Sequence, residues 1–127
     1  QDADGNLRVV DYKTGSSHLS KEDLMHGRRL QLPLYALAAK EALKLGEPIE
    51  GMYWTIRAAE SGSLKLSTFK SETGEGIEVA IQTSKEHLTR ILKGIRTGDF
   101  PPVPPKGGCP EYCPAAQWCW RYQKRGW

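Results

Sequence analysis

The segment FPPVPPKGG at residues 100–108 limits this chain more than any other stretch. Proline fixes φ and carries no amide hydrogen, so four of them in five positions (Pro101, Pro102, Pro104 and Pro105) leave little capacity for helix or strand. The chain is therefore read as a core over 1–100, then a proline linker and tail over 101–127. The tail, CPEYCPAAQWCWRYQKRGW, holds all three cysteines. At 127 residues, 39% hydrophobic and 26% charged, the composition is that of a soluble globular domain with one modest core. A net charge of +3 is compatible with a polyanionic partner without identifying one. No apolar run reaches the length of a membrane span, and QDADGNLR lacks the basic and apolar regions of a signal peptide, so no membrane role and a cytoplasmic location are expected.

Asp4-Gly5 reads as a tight turn feeding a strand from Leu7 to Tyr12, which places the first residues inside a hairpin and leads us to expect further sequence upstream. After the Thr14-Gly15-Ser16-Ser17 loop, Ser20 with Asp23 resembles a capping box. It opens a helical region that Gly46 stops after Leu45. Pro33 either kinks this region or splits it into a short helix ending near Gly27 and a main helix starting near Leu30. The stretches EGMYWTIRA and SLKLSTF alternate as two antiparallel strands, with Met52, Trp54 and Ile56 on one face, and Trp54 is expected in the core. A short strand is expected at Gly76 to Ile81. Thr83 and Glu86 then cap a helix with Leu88, Ile91, Leu92 and Ile95 on its apolar face, ended by Gly98. His26 and His87 are read as polar surface residues.

The chemistry lies where the first strand ends, in VVDYKTG at residues 9–15. Alternation puts Asp11 and Lys13 on one face and Tyr12 on the other. A carboxylate can hold a divalent metal, with the Tyr12 backbone carbonyl as a further oxygen ligand, while the ammonium meets a phosphate or an attacking water. An ordinary ion pair at a strand end accounts for an isolated D-x-K equally well. In GRRLQLPLYALAA, Gln31 and Tyr35 lie at i and i+4, so an amide and a phenol reach one point and can orient Lys13 or a phosphate. The same residues also fit a core face with a solvated neighbour. Arg28 and Arg29 are candidate nucleic-acid contacts or a solvated helix face. Cys109, Cys113 and Cys119 fall within eleven residues, the spacing of a metal or iron–sulfur site that needs a fourth ligand from elsewhere. Free thiols are the alternative.

Taken together, D-Y-K-T-G, the later Q-x-x-x-Y and the terminal cysteines resemble the RecB-like branch of the PD-(D/E)xK nuclease superfamily, in particular its iron–sulfur-stapled members. The resemblance implies a restriction-endonuclease-like α/β fold, a mixed sheet flanked by helices, truncated at the N-terminus and followed by a Cys-rich tail. It also implies Mg²⁺- or Mn²⁺-dependent exonuclease-type hydrolysis of DNA, with Asp11 and Lys13 as metal ligand and catalytic lysine and Gln31 and Tyr35 positioning the strand. Cys109, Cys113 and Cys119 would hold a 4Fe-4S cluster, or zinc as the alternative, and DNA and a helicase subunit or domain would be partners. The family's G-x-x-D-R acid and its upstream cysteine have no counterpart here, and three residues rather than two separate Cys109 from Cys113. The chain thus reads as the C-terminal part of a nuclease domain, weak or inactive alone. The rival reading is a non-catalytic nucleic-acid-binding or scaffold domain, in which a knuckle organises the tail and Trp118, Trp120 and Tyr122 stack on bases.

Overall fold

The computed structural model describes residues 1–15, 20–63, 65–104 and 107–122. His18, Ser16, Ser17, Leu64, Pro105 and the final residues of the expected aromatic tail (123–127) lie outside them. The chain divides into two compact units, Gln1–Arg90 and Ile91–Trp127.

In the first unit, β1 (Asn6–Lys13) is followed by α1 (Lys21–Met25), α2 (Gln31–Leu37), which continues as a π-helical turn at Ala38–Ala42, and then β2 (Glu47–Thr55). β1 and β2 pair in parallel, so α1 and α2 form the crossover of a β-α-β unit. β3 (Glu60–Ser61) pairs antiparallel with β2 and makes the sheet mixed, in the order β1-β2-β3. A 3-10 turn at Leu66–Thr68 leads to a small ribbon of β4 (Lys70–Ser71) and β5 (Gly74–Glu75), and α3 spans Ile77–Thr97. This mixed α/β arrangement is that expected of a restriction-endonuclease-like core. No helix among the described residues is long and apolar enough to cross a membrane.

Local chemistry explains the helix ends. The Ser20 hydroxyl accepts the Asp23 amide at 3.0 Å, capping α1 as the sequence predicts. Gly27 then turns the chain with φ +71, and a Cβ there would stand 2.7 Å from the His87 ring of α3. Pro33 sits in the first turn of α2, where an amide hydrogen has no intrahelical acceptor, so the region is two helices rather than one kinked helix. At the far end of α3, Gly98 has φ +68 and the Asp99 amide reaches the Gly94 carbonyl at 2.9 Å, closing the helix.

Leu24, Leu32, Tyr53, Leu66, Phe69 and Ala80 form the core, with Val9, Met25, Leu30, Ile77 and Val79 packed against it. Four sequence expectations are corrected here. SLKLSTF is no strand: its described part is a 3-10 turn that drops Leu66 onto the bare backbone of Gly51, where a Cβ would meet Leu66 Cδ1 at 2.5 Å. The turn is fastened by Glu50, whose carboxylate accepts the Ser67 hydroxyl at 2.6 Å. The expected strand at Gly76 to Ile81 is instead the first turn of α3, which begins well before Thr83. Trp54 is 36% exposed and lies opposite the core face, which carries Gly51 and Tyr53. His87 is half-buried, its Nε2 bonded to the Met25 carbonyl at 2.9 Å and its Nδ1 3.0 Å from Arg90.

The second unit carries the end of α3 and the tail, whose described residues are linked by short turns. The Cys113 amide donates to the Pro110 carbonyl at 3.0 Å, Cys119 to Ala115 at 2.8 Å and Tyr122 to Cys119 at 3.0 Å. Tyr112, Trp118 and Trp120 are exposed, and the Arg121 guanidinium lies 4.6 Å from the Trp120 ring centre.

Candidate active site

β1 delivers Asp11 and Lys13 to the helix-covered face of the sheet, and their side chains meet, Lys13 Nζ lying 2.8 Å from Asp11 Oδ2. The first residue of α2 completes the arrangement. Gln31 Oε1 accepts a hydrogen bond from Lys13 Nζ at 3.1 Å, while Gln31 Nε2 donates to Tyr35 Oη at 2.8 Å. The i, i+4 spacing stacks the amide under the phenol, and the β1–α2 packing brings both to the lysine. Asp11, Lys13, Gln31 and Tyr35 thus form one continuous polar chain.

The two charged members differ in solvation, with 17% of the Asp11 side chain exposed and 33% of Lys13. The Asp11 carboxylate holds the ammonium of Lys13 above the ordinary lysine value. Asp11 Oδ2 is buried, and the Lys13 ammonium is its charged partner. A carboxylate has about four acceptor positions, so one ammonium leaves others for a hard cation. Asp11 therefore fits one ligand of a divalent metal.

The Tyr12 carbonyl is placed by the ladder. Lys13 O accepts the Ile56 amide at 2.9 Å, so it points toward β2. Successive carbonyls of a strand point to opposite sides, and the Tyr12 carbonyl therefore points to the free edge of β1, the edge strand among the described residues. No group of three His, Cys, Asp or Glu side chains gathers as a metal site among the described residues. Cys109, Cys113 and Cys119 are free thiols, Cys109 buried and the others half-buried, and as placed they do not form the ligand set that a cluster or zinc requires.

Arg28 and Arg29 border an open cleft of about 510 Å³ together with Asp23, Leu30, Gln31 and Tyr53. Asp23 lies 3.1 Å from Arg28 Nε and 3.4 Å from Arg29 Nε, so one carboxylate pairs with both guanidiniums. The Ser20 hydroxyl, followed by the two arginines, holds the Asp23 carboxyl below the ordinary aspartate value.

Sequence reasoning missed two residues. Tyr53 is 2% exposed, lies beside Asp11 in the parallel register and has the Lys13 ammonium 5.0 Å from its ring centre. Burial raises its phenol above the ordinary tyrosine value. Its signal was present in the alternation of β2 but was assigned to the wrong face. Asp23 was read only as a cap, and the turn at Gly27 that folds Arg28 and Arg29 back onto it leaves no periodic mark.

No curated protein and no solved structure matches the chain. The family model of the PD-(D/E)XK nuclease superfamily matches residues 1–120, taking in the β1 end, the Gln31–Tyr35 helix and the three cysteines. With nearly its whole length matched, and with a strand-end acid and lysine joined on the sheet, the chain belongs to the PD-(D/E)XK nuclease superfamily.

Proposed function

We propose that this chain carries the lysine-bearing half of a metal-dependent DNA nuclease site of the RecB-like, exonuclease type. The observation that carries the reading is the Asp11–Lys13–Gln31–Tyr35 chain, which joins the strand-end carboxylate and ammonium to the amide and phenol of α2. Asp11 and the Tyr12 carbonyl would hold Mg²⁺ or Mn²⁺, which when bound polarises the phosphate and acidifies water. Lys13 has three donors. One is held by Gln31 and the ammonium faces Asp11, leaving donor capacity to orient water or to stabilise the charge that builds on the phosphate. Tyr35 fixes the Gln31 amide, and Gln31 and Tyr35 position the DNA strand. Arg28 and Arg29 contact flanking phosphates through their guanidinium donors. One acidic ligand binds a divalent cation weakly, so cleavage by this chain alone is weak. A helicase subunit or domain is the partner class this reading brings, and the three cysteines within eleven residues support the finer assignment to the iron–sulfur-stapled branch.

Mn²⁺-dependent cleavage of linear single- and double-stranded DNA tests the reading, with Lys13→Ala prepared identically. Slow cleavage lost in the variant is expected. Equal rates in the two proteins, or none in either, would reject it. A non-catalytic nucleic-acid-binding module would then be left, favoured by the exposed Trp118 and Trp120 and by Arg121 stacked on Trp120.

A further inference from the structure

We infer that Tyr53 is a positioning residue that seats the Lys13 ammonium. A lysine ends in a compact charge on four rotatable carbons, so fixing its head requires contacts from more than one direction. Asp11 and Gln31 supply two, at 2.8 and 3.1 Å. Both are polar, and water can compete for each at a side chain that is one-third exposed. The third contact is the face of the Tyr53 ring, 5.0 Å from Nζ to its centre, where the ring's negative face attracts the cation.

What distinguishes this ring is its own immobility. Tyr53 is 2% exposed and belongs to the core cluster with Leu24, Leu32, Leu66 and Phe69. Its backbone is fixed beside Asp11 by the parallel register of β1 and β2. The ring therefore cannot follow the ammonium, and the ammonium must settle on the ring. Tyr53 also borders the cleft that holds Arg28, Arg29 and Gln31, and Gln31 is bonded to Lys13. The catalytic meaning of this seat rests on the nuclease reading, whereas the seat itself is measurable without cleavage.

The test is proton–carbon NMR of the full chain labelled in lysine. Protons above an aromatic face resonate upfield, so the Lys13 ε-methylene signals are expected upfield of the other lysines, with contacts to the Tyr53 ring protons. Tyr53→Phe keeps the ring and should keep the shift, whereas Tyr53→Leu should return it to the ordinary lysine position. Phe69→Leu loosens the same core without touching Lys13 and should leave the shift in place. Where cleavage is measurable, Tyr53→Leu should lower kcat about tenfold with little change in KM, and Tyr53→Phe should restore it. Wild-type Lys13 signals at the ordinary position, or an upfield shift that survives Tyr53→Leu, would overturn the proposal. An upfield shift lost only in Tyr53→Leu, in a chain that cuts no DNA, would support the seat and remove the nuclease reading instead.

Discussion

At the end of β1, four polar side chains are held from two directions, by a strand paired along its length and by the first turn of a helix packed on the core. Across residues 107–122, three thiols and several aromatics hang from short turns, with Trp118 81% exposed. The first region fixes its side chains because its backbone is fixed by parallel pairing and by the buried Leu32 and Tyr53. The second has the residue types of a site without the convergence of one. Density of reactive side chains in sequence therefore differs from a built site, and what separates them is how many independent elements hold each group.

The largest effect that would break the comparison comes from the packing beneath the site. Phe69 is fully buried in the core that carries Tyr53, so Phe69→Ala should cost about 3–5 kcal/mol by removing contacts and leaving a cavity. Urea unfolding monitored by tyrosine and tryptophan fluorescence measures it. A loss below about 1 kcal/mol would mean that the region around β1 is no better packed than the tail.

Next in size is the site itself. Lys13→Ala should lower Mn²⁺-dependent cleavage about 10²-fold or more, the scale of losing one donor to developing charge. Its unfolding temperature should fall only modestly, because the Lys13 side chain is partly exposed although its loss leaves the buried Asp11 Oδ2 without its ion-pair partner. A variant that unfolds early without a rate difference would place Lys13 among structural ion pairs.

A smaller effect belongs to the turn that aims the arginines. Gly27→Ala should cost about 1–2 kcal/mol, because alanine is strained at φ +71 and its Cβ would press on the His87 ring. Chemical denaturation checks the loss, and a salt series of DNA binding checks the aim: the variant should have a shallower slope if Arg28 and Arg29 contact phosphates.

The pH dependence follows from Asp23. Its carboxyl titrates lower in the folded chain than in the unfolded one, so its contribution is complete above the ordinary aspartate value of about 3.9. It is lost as pH falls through the lower folded value. The melting-temperature gap between wild type and Asp23→Asn should be constant near neutrality and close below about pH 4. A gap that persisted in stronger acid would mean that the arginines are held by something other than this charge.

These regions also differed in how much of them could be read beforehand. The strand-end acid and lysine, the i, i+4 amide and phenol, and the Ser20 cap are local relations, fixed by the geometry of one element. Tyr53 and Asp23 depend on packing between elements, and no spacing rule carries that. The SLKLSTF stretch misled because alternation in a short apolar run also suits a turn that delivers Leu66 to the core. The face of β2 was misassigned because its largest apolar residue, Trp54, lies outward while Gly51 leaves room for Leu66 on the inner side.

The smallest predicted effect is the sharpest test of the tail. Trp118 is 81% exposed, so Trp118→Ala should change stability by less than about 0.5 kcal/mol, as surface substitutions do. The same variant should still weaken single-stranded DNA binding, by about 1–3 kcal/mol per stacked base, if the aromatics form a platform. Differential unfolding in the presence and absence of an oligonucleotide separates these outcomes. A stability loss well above 0.5 kcal/mol without DNA would mean that the indole packs on organised structure.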